Sequence, residues 1–189
     1  SEVLRGDLGY SYFFNLPVAQ LIWERVPATL LLVVTAVSSA FVAGTALGTL
    51  AARKPNGPLS QGITLLSIVG YSAPVFWTGI ILIILFASLL PWFPVSDMRS
   101  AGGPEGGWAG ALDLLHHLVL PAFTLAFVYL AQYSRLARAS VMDALSADYI
   151  RTARAKGLPE RTVLYKHALR NGVLPVVTML GLQFGNVLA

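Results

Sequence analysis

Residues 147–175 read ADYIRTARAKGLPERTVLYKHALRNGVLP, and this stretch decides how the rest of the chain is read. It holds six cations (Arg151, Arg154, Lys156, Arg161, Lys166 and Arg170) against two acids, Asp148 and Glu160. It is too polar to cross a bilayer and too patterned for a linker. Ser146 and Asp148 offer N-caps for a short helix, and Asp148 favours a helix start electrostatically. Ile150, Ala153 and Gly157 share one face, while Arg151 and Arg154 lie on another. Gly157 suits a helix stop with positive φ, and Pro159 can start the next helix but not continue the last. Glu160 then opens a second amphipathic helix with Val163, Leu164, His167 and Leu169 as its apolar positions. The pattern is helix, glycine, helix, and small residues (Ala153, Ala155, Gly157) would let the first helix sit deep in a partner's groove.

Outward from this stretch the chain is apolar. Of 189 residues, 56% are hydrophobic and 12% charged, against roughly 25% charged in ordinary soluble chains. Mean hydropathy is +0.67. The charges cluster and leave four uncharged runs: 26–52, 55–96, 114–134 and 171–189. A spanning helix needs about 20 apolar residues, so the reading is an all-α membrane protein with about four spans. Pro27 fits a first helical turn. Ala40, Gly44 and Gly48, four apart, form a small-residue face for close helix packing. The second span is expected over residues 63–89, kinked at Pro74, with Tyr71, Pro74 and Trp77 as candidates for a pathway or gate. Asp113 is expected to cap the third span, whose helix should run on to about Leu145.

Charge also orients the chain. Arg53, Lys54 and residues 135–170 carry ten cations against Asp143, Asp148 and Glu160. Residues 1–25 and 91–113 carry Arg5, Arg25 and Arg99 against Glu2, Asp7, Glu24, Asp97, Glu105 and Asp113. Positive loops mark the cytoplasmic side. Residues 53–54 and 135–170 are therefore expected inside, and the aromatic-rich segment 1–25 at or beyond the outer surface. Topology thus accounts for the net charge of +4, and a nucleic-acid reading loses its motive: no aromatic-interleaved platform is visible. The chain has no cysteine, hence no disulfide framework. His116 and His117 lack carboxylate or thiolate neighbours at ligand spacing, so no metal or cofactor is expected.

DYIRTARAKGL (148–158), followed by HALRN and LPVVT, resembles the cytoplasmic signature of the dipeptide/oligopeptide/nickel permease family, the membrane subunits of binding-protein-dependent ABC importers. The resemblance extends to GDLGYS at 6–11, ERVPATL at 24–30, GYSAPVFWTG at 70–79 and SRLARASVMDAL at 134–145, in family order. It implies a type I ABC importer transmembrane domain over residues 26–189, preceded by an external segment 1–25. About four of six expected spans are visible, and both ends of the family's chain are missing.

It also implies that residues 146–170 form the coupling segment. The site residues would be Asp148, Tyr149, Ile150, Arg151, Thr152, Ala153, Arg154, Ala155, Lys156, Gly157 and Leu158. Gly157 matches the glycine of the superfamily's EAA-xxx-G motif. Arg151 stands where the wider motif has Glu, and Arg170 where it has Pro. A salt bridge from that Glu is therefore not carried over.

The implied partners are cytoplasmic ATPase subunits, a second permease subunit in a heterodimer, an extracytoplasmic solute-binding protein and the lipid of a bacterial or archaeal plasma membrane. The implied function is import of di- or oligopeptides by alternating access, or of nickel chelates or glutathione on the same architecture. No G-x-x-x-x-G-K-[ST] phosphate loop occurs, so the subunit is expected to be non-catalytic. Two readings of other classes are an ion-coupled secondary transporter and a non-transport membrane scaffold. The former would need an ionisable residue inside a span, and the four runs contain no Asp, Glu, Lys or Arg.

Overall fold

A computed structural model of the chain describes residues 8–104 and 106–188. Residues 1–7 of the segment expected to be external, with Glu2, Arg5 and Asp7, lie outside the described residues, as do Glu105 and Ala189.

A two-residue antiparallel pair, β1 (Tyr10–Ser11) and β2 (Leu16–Pro17), comes first. Asn15, at φ 53°, turns the chain between them, a conformation that Asn tolerates better than most residues. Helix α1 then runs Val18–Arg53, 36 residues, or about 54 Å at 1.5 Å per residue. It starts within the segment read as external, because Pro17, at φ −58°, already sits at the cap position. Pro27 is consequently inside the helix and not in its first turn. It deletes only the bond to the carbonyl of Trp23, four residues back.

Helix α4 (Gly107–Ser146, 40 residues) packs along α1. The seam is made by small residues every fourth position: Ala36, Ala40, Gly44 and Gly48 on α1, against Leu130, Tyr133, Ser134 and Ala137 on α4. A Cβ on Gly44 would lie 2.7 Å from the Tyr133 Cβ, and one on Gly48 would strike the Ser134 carbonyl oxygen. The small-residue spacing therefore does what it promised. Phe41 meets the Tyr133 ring edge-on at 5.7 Å.

Helices α2 (Pro58–Ser72) and α3 (Val75–Ile83) pack on a neighbouring face of α4, next to α1. Ser67 and Ser134 share a buried hydrogen bond of 3.2 Å, and Gly70 faces Ala131. The expected kink at Pro74 is a full break: the two helices are bent by 102°. Pro74 supplies no N–H and drives the residue before it out of the helical region. Ala73 (ψ 126°) and Pro74 (ψ 134°) are both extended. α3 continues as a wider π-helical turn, Ile84–Leu89. The N–H groups of Trp92 and Phe93 then both donate to the Phe86 carbonyl.

At the other end, α5 (Asp148–Ala155), α6 (Glu160–Thr162), a π-helical turn (Val163–Ala168) and α7 (Leu169–Gly172) form a compact module, and α8 (Leu174–Leu188) leaves it. Among the described residues α1 and α4 are long and apolar enough to cross a membrane, and α2 with α3 counts as a third if the bent pair is one span. The fourth uncharged run is helical over the 15 residues of α8, about 22 Å.

Candidate functional site

The basic module is built on a small core of its own. Ile150 and Ala153 of α5 turn inward against Ala52 of α1, Val141 of α4, and Val163, Leu164 and Ala168 of the π-helical turn. Val163 and Leu164 were legible as apolar positions. Ala168 was not singled out, although it is wholly buried. Gly172 lets α7 close on α4: a Cβ there would lie 3.0 Å from the Cα of Val141.

Neither Ser146 nor Asp148 caps α5. The cap position is Ala147, in extended backbone (ψ 152°), and it makes no side-chain cap bond. The Ser146 hydroxyl instead donates back to the Asp143 carbonyl at 2.7 Å, closing the last turn of α4. Asp148 sits in the first turn of α5, where its charge suits the helix dipole. It pairs with Arg151 at 3.4 Å in full exposure.

The far end follows the glycine expectation closely. Gly157 adopts φ +77°. Its N–H donates to the Arg154 carbonyl at 2.9 Å, and the Leu158 N–H reaches the Ala153 carbonyl at 3.4 Å. These two bonds are the Schellman pattern of a helix stop, which needs a left-handed residue at this position. Arg154 reaches across the turn to Glu160, Nε to Oε1 at 2.8 Å and Nη2 to Oε2 at 3.4 Å.

The eleven residues read as one docking segment thus divide by face. Ile150 and Ala153 are spent on the chain's own core. Asp148, Tyr149, Arg151, Thr152, Arg154, Ala155, Lys156, Gly157 and Leu158 are exposed. Of the small residues expected to enter a partner's groove, Ala155 and Gly157 are on the surface and Ala153 is not, because α5 needs an inward contact to hold it.

The pathway candidates cluster at the break. Tyr71, Pro74 and Trp77 are all exposed. The guanidinium of Arg135 stands 5.5 Å from the Tyr71 ring centre, within reach of a cation–π attraction. Toward the acidic end, two adjoining cavities of about 230 and 470 Å³ open between α1, α3, α4 and residues 94–98. Leu32, Asp97, His117 and Pro121 line both, and Val75 and Gly79 line the larger. Sequence reading missed this space; its only local signals are Gly79 and Pro121, both ordinary within an apolar run.

The acidic-end loop is pinned to α4. Asp113 lies inside that helix, not at its cap, since the helix starts at Gly107. Its carboxylate accepts from the Ser100 N–H at 2.9 Å and the Ser100 hydroxyl at 2.6 Å. His116 Nε2 lies 2.7 Å from the Trp92 carbonyl, and His117 Nδ1 lies 2.8 Å from the Asp113 carbonyl. A carbonyl only accepts, so both ring nitrogens donate. Among the described residues no group of three His, Cys, Asp or Glu could hold a metal.

Comparison with known proteins bears on this architecture. Residues 44–189 match the model of the family described as binding-protein-dependent transport system inner membrane component. The oligopeptide transport system permease protein AppB of Bacillus subtilis (strain 168) is 41% identical over 183 residues, covering 96% of this chain and 57% of that protein. The dipeptide transport system permease protein DppB of Escherichia coli (strain K12) is 39% identical, over 99% of this chain and 60% of that protein. The di/tripeptide transport system permease protein DppB of Pseudomonas aeruginosa (strain UCBPP-PA14) is 38% identical, over 100% and 60%. The chain therefore spans 57–60% of the length of these relatives.

Proposed function

Because this chain belongs to the binding-protein-dependent transport system inner membrane component family, we propose that it is a membrane-spanning permease subunit of an ATP-driven importer, carrying di- or oligopeptides across the plasma membrane. The peptide class rests on what the relatives are called, an oligopeptide and two di- or tripeptide permeases. The basic end, residues 53–54 and 135–170, faces the cytoplasm, as the charge bias favours. The chain is non-catalytic, and ATP is hydrolysed by separate subunits. A second permease subunit completes the path, and a solute-binding protein delivers substrate to the acidic end, where Trp92 and Ser100 are pinned to α4.

The observation that carries this reading is the construction of α5. It is eight residues long, too short to be stable alone. Two apolar side chains fix it to the ends of α1 and α4, and a left-handed glycine stops it. Its remaining surface is left to an outside partner. A partner that moves α5 moves Ile150 and Ala153, and through them Ala52 and Val141, the ends of the two long helices. That linkage is the mechanical requirement of alternating access: an ATPase stroke applied at α5 tilts α1 and α4 and with them the space lined by Val75, Gly79 and Pro121.

Gly157→Val tests it in the complete transporter reconstituted with its ATPase and binding protein. A non-glycine residue at φ +77° carries a strain of about 1–2 kcal/mol, worth roughly 5–30-fold in the population of the native turn. The variant should stay in the membrane while uptake per ATP hydrolysed falls. Gly157→Asn, which tolerates the left-handed region, should retain more uptake. Wild-type uptake by Gly157→Val would refute the assignment.

A further inference from the structure

The groove between α2 and α4 at the basic end holds polar groups that no described residue uses. Two hollows of about 340 and 110 Å³ share Thr64 and Arg138 and follow one another along the helix pair. Ser60 lines the larger, is 1% exposed, and its hydroxyl has no partner among the described residues. Its neighbours behave otherwise: Thr64 donates to the Ser60 carbonyl and Ser67 to the Ile63 carbonyl, both at 2.8 Å. Nε of Arg138 is likewise buried without a partner, although Nη2 of the same side chain donates to the Pro55 carbonyl at 3.1 Å. Ser60 and Arg138, each with an unused donor, therefore line one hollow beside the first turn of a 15-residue helix, α2, the end of a helix that favours negative charge. The charged side chains lining the two hollows are Arg135 and Arg138, both positive. Buried donors with a positive field call for an anion.

Farther along, the second hollow keeps Thr64, Ser67, Arg135 and Arg138 and adds the apolar Ile63 and Ile68. Leu65 and Ile68 line the groove and are 63% and 57% exposed. A free anion has no use for that continuation; a molecule with an anionic head and a hydrocarbon tail does. Cations and hydroxyl residues with exposed aliphatics beside them suit an anionic headgroup and the start of its acyl chain.

We propose that this groove binds one anionic phospholipid of the cytoplasmic leaflet. Its phosphate is held by Ser60, Arg138 and the start of α2, and its acyl chain lies along Leu65 and Ile68. The inference goes beyond the transport reading and shares with it only the orientation given by the charge bias.

The test is native mass spectrometry of the complete transporter, delipidated and then titrated with phosphatidylglycerol or phosphatidylcholine. Wild type should retain one phosphatidylglycerol per copy of this subunit and release phosphatidylcholine. Ser60→Ala and Arg138→Gln should each weaken retention about tenfold or more, the effect of losing one hydrogen bond to a charged group. Ser60→Ala is nearly isosteric, so its result stands even if Arg138→Gln fails to fold. Equal retention by Ser60→Ala and wild type overturns the proposal, as does equal retention of the two lipids. Displacement of the phosphatidylglycerol by inorganic phosphate alone would make this a free-anion site and overturn it. Displacement by a transported peptide would place the groove on the substrate path, with the same consequence. Failure on any of these counts leaves the Gly157 test of the permease reading untouched.

Discussion

The α1–α4 seam and the basic module around α5 are both helix contacts, yet they are made in opposite ways. The seam is made by missing side chains. Gly44 and Gly48 bring backbone onto backbone, and the side chains around them are mostly alanines. The module is made by present ones, where Ile150, Val163, Leu164 and Val141 fill the space among three short helical pieces. Close backbone approach suits two long apolar helices, because in lipid packing and dispersion hold them together more than the hydrophobic effect does. The module, outside the uncharged runs, can use ordinary apolar burial. The difference teaches that one substitution rule cannot serve both: the seam is broken by adding atoms and the module, apart from its close approach at Gly172, by removing them.

Gly48→Val should have the largest effect. Its Cβ would meet the Ser134 carbonyl oxygen, the Ala137 Cβ at 2.7 Å and the Arg138 N at 2.8 Å, two of the three being backbone. Backbone atoms cannot swing aside, so the cost should reach about 3 kcal/mol or more. It should appear as a lowered unfolding midpoint in detergent. Gly62, on the shorter helix α2, has nothing within 4 Å of an added Cβ. Gly62→Ala should therefore be neutral or stabilising by up to about 1 kcal/mol. If both substitutions cost the same, the seam is not held by close approach.

Ile150→Ala attacks the module from the other side. Ile150 is wholly buried, and removing such a side chain costs about 2–5 kcal/mol. Hydrogen exchange should show protection lost over residues 148–172 while the centres of α1 and α4 keep theirs, as expected of separately opening units. Loss spreading evenly along α1 and α4 would merge the two regions into one.

The two regions were also unequally legible. The seam could be read from Ala40, Gly44 and Gly48, because a four-residue spacing of small residues has few other uses in an apolar helix. The Gly157 stop could be read for a similar reason: glycine followed two residues on by proline fits a helix end and little else. Caps were misread at Asp113 and Asp148, since an acidic residue near a helix start serves equally well inside the first turns or as an acceptor for a distant loop, which is what Asp113 does for Ser100. The size of the break at Pro74 was hidden because proline fixes its own φ and restricts its neighbour, while the 102° bend also depends on what α2 and α3 pack against. The cavities lined by Leu32, His117 and Pro121 and the unpaired Ser60 hydroxyl arise from residues far apart in sequence, and no local pattern marks them.

The smallest expected effect sharpens the contrast most finely, because it asks whether charge contributes to the module at all. Arg154 and Glu160 close the Gly157 turn with a two-point contact, which is the geometry that makes an ion pair count. Their side chains, however, remain 45% and 61% exposed. Water and salt therefore screen the pair, and exposed pairs are worth about 0–1 kcal/mol. Glu160→Gln keeps one acceptor for Arg154 and removes the charge, so its cost should fall at the lower end, about 0.5 kcal/mol or less. A double-mutant cycle with Arg154→Ala, run at low and high salt, isolates the pair from any other role of either residue. A coupling that vanishes in high salt places the pair at the surface and leaves the apolar core of Ile150, Val163 and Leu164 to hold the module. A salt-insensitive coupling as large as the Ile150→Ala effect would instead make the turn, not the core, the element that fixes α5.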